Sequence, residues 1–372
     1  MKKLIVMYTV SRTNPKGTWS GTSYSLLQAL RNYYDVELVD LKCGFFLRII
    51  DKLKNKICIP TFQMIIGSAY DKLLEIKAAF LLRGKDNIPV LEIANEVNIR
   101  PPFYLYQDLS LAVLQEEKSY LLSLGVTGGG LRKEWTEAEI SRKAMVQKRI
   151  YYNAENCFFM GHWVTQRMKE IYPEIAGKFN YAGGGLNKEF NPPKELSIQD
   201  KERIVSFIGI DFDRKAGDIV VKAFLRMIEK YNDKAKLYIV GPNSKNFQDS
   251  SSIVFIGKAE RKFIGEILKK STVFCMPSRF EAYGLVFPEA MCYGNLCIGR
   301  NKYEMPYFLN SETGTVIDTD DVEVLADRMY ALLNDKDKLK KAIDMADSKR
   351  KEYSWNAVAG RIDEIIKCYE NT

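Results

Sequence analysis

Residues 272–291 read TVFCMPSRFEAYGLVFPEAM and form the clearest structural signal in the chain. The apolar run from Thr272 to Met276 predicts a buried strand. Pro288 suits the first turn of a helix and Gly294 suits its end, so a short helix is predicted over Pro288–Tyr293. Strand, loop and helix in this order build parallel sheets. This stretch therefore predicts an α/β protein.

The same alternation of strands and helices runs along the chain with one interruption. The predicted strands are Leu4–Val10, Val36–Leu41, Val90–Ala94, Ile204–Ile210, Lys236–Val240, Ser252–Phe255, Thr272–Met276, Leu296–Ile298 and Thr315–Ile317. The predicted helices are Ser23–Asn32, Leu111–Leu122, Glu137–Tyr152, Gly217–Tyr231, Arg261–Lys270, Pro288–Tyr293 and two more at the end of the chain. The interruption is the turn-rich stretch 183–193, where we place a linker.

We therefore expect two Rossmann-like, doubly wound domains, residues 1–185 and 186–352, that face each other across a cleft. In open parallel sheets, ligands bind beyond the carboxyl ends of the strands. Side chains in strand-to-helix loops are thus the candidates for function.

The amino-acid composition argues against several classes of protein. The 372 residues are 46% hydrophobic, carry a formal charge of +8 and include seven cysteines and one histidine. A single histidine argues against a histidine-ligated zinc site or a two-histidine catalytic system. Scattered cysteines without a C-x-x-C pair fit a reducing cytoplasm. No apolar run is long enough for a bilayer span, and the N-terminal apolar stretch is too short for a signal peptide.

Two carboxylates, Glu281 and Glu289, bracket the loop that follows Met276. The amides of Gly284, Leu285 and Val286 lie near the predicted helix start, where the helix dipole favours an anion such as a phosphate. We expect the carboxylates to accept hydrogen bonds from hydroxyls of a bound sugar and ribose. The alternative is a structural role, with Glu289 as a favourable first-turn charge and Glu281 as a solvated loop charge.

Two adjacent cations, Arg214 and Lys215, lie in the loop after the strand Ile204–Ile210. A leaving diphosphate gains negative charge as a glycosidic bond breaks, so fixed cations would stabilise the transition state more than the ground state. Arginine can grip a phosphate with two hydrogen bonds and lysine adds a point charge. The alternative is a solvated Arg-Lys pair on a turn.

The segment around the two carboxylates closely resembles the Glu-x7-Glu segment of retaining glycosyltransferases of the GT-B fold, glycosyltransferase family 4. The matching residues are Pro277, Ser278, Glu281, Gly284, Leu285, Glu289, Ala290, Met291 and Gly294. The resemblance implies that Glu281 lies by the transferred sugar and that Glu289 binds the ribose hydroxyls. It also implies that residues 353–372 form a closing helix that returns to the first domain.

The loop with Arg214 and Lys215 resembles the family's phosphate-binding Arg-Lys-Gly loop, which begins at the glycine Gly209. It departs from the family pattern at Ile210, where an arginine is frequent, and at Ala216, where a glycine is frequent. The resemblance also implies that the nucleotide base contacts backbone near residues 256–258, which include Gly257.

The first predicted domain contributes further candidates. The loop before the first helix resembles a Trp-Ser-Gly-Thr-Pro-Tyr-like loop of the family, which implies that Gly21 and Thr22 face the donor phosphates. The alternative is a helix cap formed by Thr22 or Ser23, and the two roles are compatible. Asp108 lies in a segment that resembles a Tyr-x-Asp-x-Thr pattern and would orient or deprotonate the acceptor hydroxyl, or else cap the helix near Ser110. The only histidine, His162, does not match the family's catalytic position and is interpreted as structural.

The resemblance as a whole implies a retaining glycosyltransferase that moves a sugar from a UDP- or GDP-type nucleotide-sugar to a glycan or lipid-linked acceptor, in bacterial surface polysaccharide or glycoconjugate synthesis. No cofactor or metal is expected, because Arg214, Lys215 and the loop amides supply positive charge and because no Asp-x-Asp pair is recognised near a donor loop. The rival interpretations are a GT-B phosphorylase or epimerase and a non-catalytic binding partner. Nucleic acid is not expected as a partner, because the basic residues are dispersed among acidic ones.

The basic segment 45–56 leaves two interpretations open. It has the pattern of an amphipathic helix that lies on an anionic membrane, which would place a cytoplasmic protein on the inner face of that membrane. The alternative is an ordinary surface helix with solvated lysines.

Overall fold

The computed structural model describes residues 1–42, 44–56, 59–94, 97–100, 102–123, 136–187, 190–242 and 251–370. Lys188 and Glu189 of the predicted linker lie outside these ranges. The chain divides into two compact units. Unit 1 comprises Met1–Gly185 and Trp355–Thr372, and unit 2 comprises Leu186–Ser354.

Unit 1 is built on a parallel sheet that has six strands among the described residues, in the order β2-β1-β3-β4-β5-β6. Its strands are β1 Lys3–Tyr8, β2 Asp35–Asp40, β3 Val90–Ile93, β4 Phe103–Gln107, β5 Asn156–Phe159 and β6 Phe179–Tyr181. Its helices are α1 Thr22–Leu30, α2 Phe45–Lys56, α3 Pro60–Leu81, α4 Leu111–Ser123, α5 Glu137–Asn153, α6 His162–Ile171 and α13 Trp355–Glu370. The central strands β3, β4 and β5 are buried along their whole length, as expected for a sheet covered by helices on both faces.

Unit 2 repeats this architecture with the order β12-β11-β10-β7-β8-β9, again six parallel strands in the described part of the chain. Its strands are β7 Glu202–Ile208, β8 Lys236–Val240, β9 Ile253–Gly257, β10 Ser271–Cys275, β11 Leu296–Arg300 and β12 Gly314–Ile317. Its helices are α7 Gly217–Tyr231, α8 Arg261–Lys270, α9 Val286–Cys292, α10 Met305–Phe308, α11 Val322–Asn334 and α12 Lys336–Glu352. Both units are Rossmann-like, so the predicted α/β fold class is confirmed.

The strand order of unit 2 reverses between β7 and β10. The chain first moves outward through β8 and β9 and then restarts at β10 on the other side of β7. Ligands of doubly wound sheets bind at such a switch point, beyond the carboxyl ends of the two strands. The loops that follow β7 and β10 are therefore the part of unit 2 best placed to bind a ligand.

The last helix belongs to unit 1 rather than to unit 2. α13 packs against α1, and the side-chain amide of Asn32 donates to Asn356 at 3.0 Å. Unit 2 runs to Ser354, and the carbonyl of Tyr353 in this unit accepts a hydrogen bond from the Leu186 N–H at 2.7 Å. Across the described residues, no helix combines the length and apolar character needed to cross a bilayer.

Candidate functional site

Lys215 and Glu281 meet at the switch point of unit 2. Lys215 lies in the loop between β7 and α7, and Glu281 lies in the loop between β10 and α9. The Lys215 ammonium nitrogen is 2.9 Å from Glu281 Oε2, and both side chains are largely buried. Two residues that are 66 positions apart in sequence thus form one charged pair, because β7 and β10 are neighbours in the sheet.

Gly209 makes room for this pair. A Cβ atom at position 209 would lie 2.2 Å from Lys215 Cδ, which is far inside contact distance. Only a glycine therefore lets the lysine stem lie directly across the loop. The Gly209 N–H donates to the Val240 carbonyl at 2.9 Å, so this part of the loop is an extension of the sheet.

Arg214 joins the pair from the same loop. Its Nη1 donates to the Phe280 carbonyl at 2.7 Å and lies 3.6 Å from Glu281 Oε2, while its Nε donates to Asp211 at 2.7 Å. Arg214 and Lys215 are each about one-eighth exposed, so they are not the solvated turn pair that the sequence left open.

Asp211 and Asp213 are spaced as Asp-x-Asp in the loop between β7 and α7, so the expectation that no such pair lies near a donor loop is wrong. Asp211 holds Arg214, and the main-chain carbonyl of Asp213 accepts from Arg279 at 2.6 Å. In the described ranges, no three His, Cys, Asp or Glu side chains come together as a potential metal site.

The two glutamates of the second loop have opposite protonation behaviour. Burial raises the pKa of Glu281, but the charges of Lys215 and Arg214 outweigh this effect, so its pKa lies below its ordinary value. Burial raises the pKa of Glu289 to about 8, and the charges of Arg261 and Lys215 offset only part of that rise. Near neutral pH, Glu281 is a carboxylate and Glu289 is mostly protonated, so Glu289 can donate a hydrogen bond as well as accept one.

Both glutamates are buried, Glu281 to 9% exposure and Glu289 to 5%. Glu281 is therefore not a solvated loop charge. Glu289 lies in the first turn of α9 as predicted, and its Oε1 is 3.4 Å from Arg261 Nη1 of α8. The helix dipole stabilises a carboxylate in the first turn whether or not the carboxylate is buried. The burial of Glu289 beside Arg261 therefore also fits a role in ligand binding.

Gly284 turns the loop between the two glutamates. Its φ of +92° is in the left-handed region, and a Cβ there would lie 3.1 Å from Glu281 Cγ. The first helical hydrogen bond runs from the Phe287 N–H to the Gly284 carbonyl, so the amides of Gly284, Leu285 and Val286 precede the hydrogen-bonded helix. α9 begins at Val286, two residues before the predicted start.

Gly257 is the remaining predicted donor residue of unit 2. Gly257 ends β9 with a φ of +70°, and its carbonyl accepts from the Gly241 N–H at 2.8 Å. Ile210, one of the departures from the family pattern, is 73% exposed. Ala216, the other departure, has a φ of +57°, which explains in physical terms why a glycine suits this position.

The remaining predicted residues belong to unit 1. Gly21, with a φ of +91°, precedes α1, and Thr22 is its first residue and is buried. Trp19 and Ser20 just before them also have positive φ values, so this loop adopts a sparsely populated backbone conformation. The ring of Trp19 packs against Tyr106 with the centroids 6.1 Å apart.

Asp108 follows β4 at the carboxyl edge of the unit 1 sheet. At the start of α4, the Ser110 hydroxyl accepts from the Ala112 N–H at 3.2 Å, and Gln147 accepts from the Leu111 N–H at 3.0 Å. Ser110 and Gln147 therefore satisfy two amides at the start of α4, and both roles considered for Asp108 stay predictions. His162 begins α6 and stacks on Tyr181 with the ring centroids 3.5 Å apart.

The sequence interpretation missed four charged residues near this centre. Arg261 contacts Glu289, whereas Arg279, Arg300 and Asp320 form an ion-pair network beside Glu281. Arg279 belongs to the quoted motif, and its partners lie 61 and 41 positions away in sequence. A local pattern carries no signal for such long-range pairs.

The unit that carries this site is also the part of the chain that matches a known protein family. Residues 188–352 match the family model described as "Glycosyl transferases group 1". Unit 2 carries a glycosyltransferase group 1 domain. All of the charged residues described above in unit 2 lie inside the matched segment.

Two curated relatives are similar to parts of the chain. N-acetyl-alpha-D-glucosaminyl L-malate synthase of Bacillus anthracis is 29% identical over 152 residues, 39% of each chain. GDP-mannose-dependent monoacylated alpha-(1-6)-phosphatidylinositol monomannoside mannosyltransferase of Corynebacterium glutamicum is 25% identical over 262 residues, 63% of this chain and 67% of the relative. The matches thus span about two fifths of the first relative and two thirds of the second.

A solved structure is similar over nearly the whole chain. The crystal structure of WaaG, described as a glycosyltransferase involved in lipopolysaccharide biosynthesis, has a TM-score of 0.64 at 13% identity and covers 98% of this chain and 99% of that one. This similarity covers both units and supports the predicted GT-B fold.

Proposed function

We propose that the chain is a retaining glycosyltransferase that moves a sugar from a UDP- or GDP-type nucleotide-sugar to the hydroxyl of a glycan or a lipid-linked acceptor. The observation that carries the proposal is the pairing of Lys215 and Arg214 with Glu281 at the switch point of a glycosyltransferase group 1 domain. Two cations beside a carboxylate at this edge suit a diphosphate next to a sugar.

In the proposed mechanism, the bond between the sugar C1 and the diphosphate breaks, and the acceptor oxygen bonds to C1 from the same face. The proton of the acceptor hydroxyl passes to a base or to the departing phosphate. Lys215 and Arg214 bind the growing charge on the diphosphate, which lowers the barrier more than it strengthens ground-state binding. Because these cations and the amides of residues 284–286 act on the phosphates, we propose that no metal is required.

Each glutamate has a separate proposed role. Glu281 lies by the transferred sugar, where it holds Lys215 in place until the phosphates arrive. Glu289 binds the ribose hydroxyls, and its pKa of about 8 suits it to exchange hydrogen bonds in both directions. Gly209, Gly257 and Gly284 let the loop backbones approach the nucleotide closely.

Unit 1 is proposed to bind the acceptor, with Asp108 orienting or deprotonating its hydroxyl. Gly21 and Thr22 are proposed to contact the donor phosphates. The Corynebacterium relative is named for a GDP-mannose donor and a phosphatidylinositol mannoside acceptor, which supports a nucleotide-sugar and a lipid-linked acceptor for this chain as well. Synthesis of bacterial surface polysaccharide or another glycoconjugate is the setting that these substrates suit.

We further propose that the protein contacts the inner face of the membrane through α2 and α3. Arg48, Lys52 and Lys56 are exposed on α2 at intervals of one helical turn, beside the exposed Leu53. On α3, which packs against α2, the large apolar side chains of Phe62, Ile65, Ile76 and Phe80 are exposed, the last to 73%. Cationic and apolar side chains together suit an anionic lipid surface.

The stereochemistry of turnover tests the proposed reaction. UDP- and GDP-sugars are incubated with the protein and acceptor sugars in EDTA, and the anomeric configuration of the product is read by proton NMR. An α-linked donor should give an α-linked product without added metal. A β-linked product would exclude retention, and activity that appears only after Mg²⁺ or Mn²⁺ is added would exclude metal independence. Phosphate-dependent release of a sugar phosphate would instead indicate a phosphorylase.

A further inference from the structure

Arg279 makes several hydrogen bonds to main-chain and side-chain groups of the segment around Lys215, more than a solvated surface charge would make. Its backbone N–H donates to the Arg214 carbonyl at 2.8 Å, and its Nη1 donates to the Asp213 carbonyl at 2.6 Å. Its guanidinium also grips Asp218 at the start of α7 with two hydrogen bonds of 2.7 and 3.0 Å. The loop that carries Lys215 is thus held on both sides of the lysine.

Asp320 connects Arg279 to residues at the ends of two further strands. It follows β12, and one of its oxygens accepts from Arg279 Nη2 at 3.2 Å. The other pairs with Arg300 at the end of β11, whose Nε donates to the carbonyls of Pro277 and Ser278 at 3.2 Å. Burial raises the pKa of Asp320, but Arg300 and Arg279 outweigh this effect and hold it below its ordinary value.

These contacts link the carboxyl ends of four adjacent strands, β7, β10, β11 and β12. We name the set Arg279, Asp218, Asp320 and Arg300 the arginine frame. Arg279 and Arg300 are about one-tenth exposed, so their hydrogen bonds are shielded from water and hold a defined geometry. The frame holds the two loops that carry Lys215 and Glu281 without including either residue.

We propose that the arginine frame is a positioning device for the proposed donor site, with Arg279 as its central residue. Arg279 itself need not touch the diphosphate. It fixes the loop 209–217 against the loop 277–285, so that Lys215 and Glu281 are in place before the ligand binds. This proposal rests on the proposed function, because the ligand of the positioned pair is the nucleotide-sugar. Preorganised charges are effective because they cost little reorganisation during the reaction.

The test compares Arg279→Gln with Arg203→Gln in the full-length protein. Arg203 pairs with Asp233 with similar geometry, its Nε donating at 2.7 Å, but it lies in the first half of β7, at the opposite edge of the sheet. Arg203→Gln thus reports the loss of an Arg–Asp pair in the same unit without a change in the frame. Thermal unfolding of both variants measures the general structural cost.

Two readouts distinguish positioning from stability. First, hydrogen exchange of the ligand-free protein should become faster in the loops 209–217 and 277–285 of Arg279→Gln and stay unchanged there in Arg203→Gln. Second, the affinity for UDP, GDP or ADP, whichever binds the wild type, should fall about tenfold or more in Arg279→Gln only. Unchanged exchange in both loops, or equal affinity in both variants, would overturn the proposal.

A double-mutant cycle separates this proposal from the proposed function. Asp218→Asn breaks the main partner of Arg279, so the double variant Asp218→Asn/Arg279→Gln should lose no more loop protection than Arg279→Gln alone. Fully additive losses would overturn the frame. If no nucleotide binds the wild type, the proposed function fails, whereas the exchange measurements still decide whether the frame orders the loops.

Discussion

Gly209 leaves the space in which the side chain of Lys215 lies. An alanine methyl group there would lie 2.2 Å from Lys215 Cδ, so the lysine side chain would have to leave its place and its amine would move away from Glu281. We expect Gly209→Ala to weaken nucleoside diphosphate binding by roughly 10- to 100-fold, as the loss of a charge-assisted contact does, although the amine itself is retained.

Calorimetric titration measures this effect. Gly177→Ala is the matched control, because a Cβ at that position meets no atom within 4 Å. The control should bind like the wild type. If Gly209→Ala also binds the nucleotide like the wild type, the position of the Lys215 side chain does not affect nucleotide binding.

Glu289 makes the stability of the chain depend on pH. The folded protein binds a proton at this carboxyl up to a pKa of about 8, whereas the ordinary value is 4.5. Between these values the folded state binds more protons than the unfolded state, so the contribution of Glu289 to the free energy of unfolding falls as pH rises from about 4.5 to about 8. Glu289→Gln removes this dependence and keeps the shape of the side chain.

We therefore expect Glu289→Gln to gain stability relative to the wild type as pH rises from 5 to 8.5. Urea unfolding at several pH values measures the difference between the two proteins, in which the other titrating groups cancel. A difference that stays constant over this range would show that the carboxyl is ionised in the folded protein throughout.

At the scale of helices and strands, the local pattern was informative where an element has a continuous apolar run or a clear helical period. β10 could be predicted from its apolar run, and α7 from apolar residues at helix spacing. The strands β5 and β6 were missed because the polar residues Asn156 and Asn180 shorten their apolar runs. α3 was missed because it presents apolar residues to solvent as well as to the core, which weakens its helical periodicity.

The candidate site shows the same limit. The two loops could be recognised from the sequence because each lies between a strand and a helix, and Arg214, Lys215, Glu281 and Glu289 could be named with them. The arginine frame could not, because Arg279 pairs with Asp218 and Asp320 across three strand-to-helix connections. Such pairs depend on strand order, which a single sequence does not specify.

The exposed apolar face of α3 leads to a prediction at the same scale. Burial of one phenylalanine side chain contributes about 1.5–3 kcal/mol, so Phe62→Ser/Phe80→Ser should reduce binding to vesicles with anionic lipid by a factor of ten or more. Co-sedimentation with vesicles of phosphatidylglycerol and phosphatidylcholine measures this, and higher salt should weaken binding of the wild type.

Phe263→Ser is the control for this experiment. Phe263 is an exposed phenylalanine on α8 of unit 2, about half accessible to solvent. It should not affect vesicle binding. Equal binding of the wild type, the double variant and the control would leave α3 without a lipid-binding role.

At the scale of the whole molecule, the chain combines two α/β units with different proposed roles. Unit 2 carries the matched glycosyltransferase domain and a charged pair at its switch point, whereas unit 1 carries the proposed acceptor residues. We therefore propose that unit 2 binds a nucleoside diphosphate through Lys215 and Glu289. Every other proposed step depends on this binding.

Calorimetric titration with UDP, GDP and ADP in EDTA measures this binding in the wild type, Lys215→Ala, Glu289→Ala and Lys222→Ala. Lys222 is an exposed lysine on α7 and serves as the control for loss of a positive charge. We predict micromolar binding of one nucleotide by the wild type and Lys222→Ala, and a loss of roughly 10- to 100-fold in the other two variants. No binding of any nucleotide, or equal binding by all four proteins, would contradict the proposed donor site.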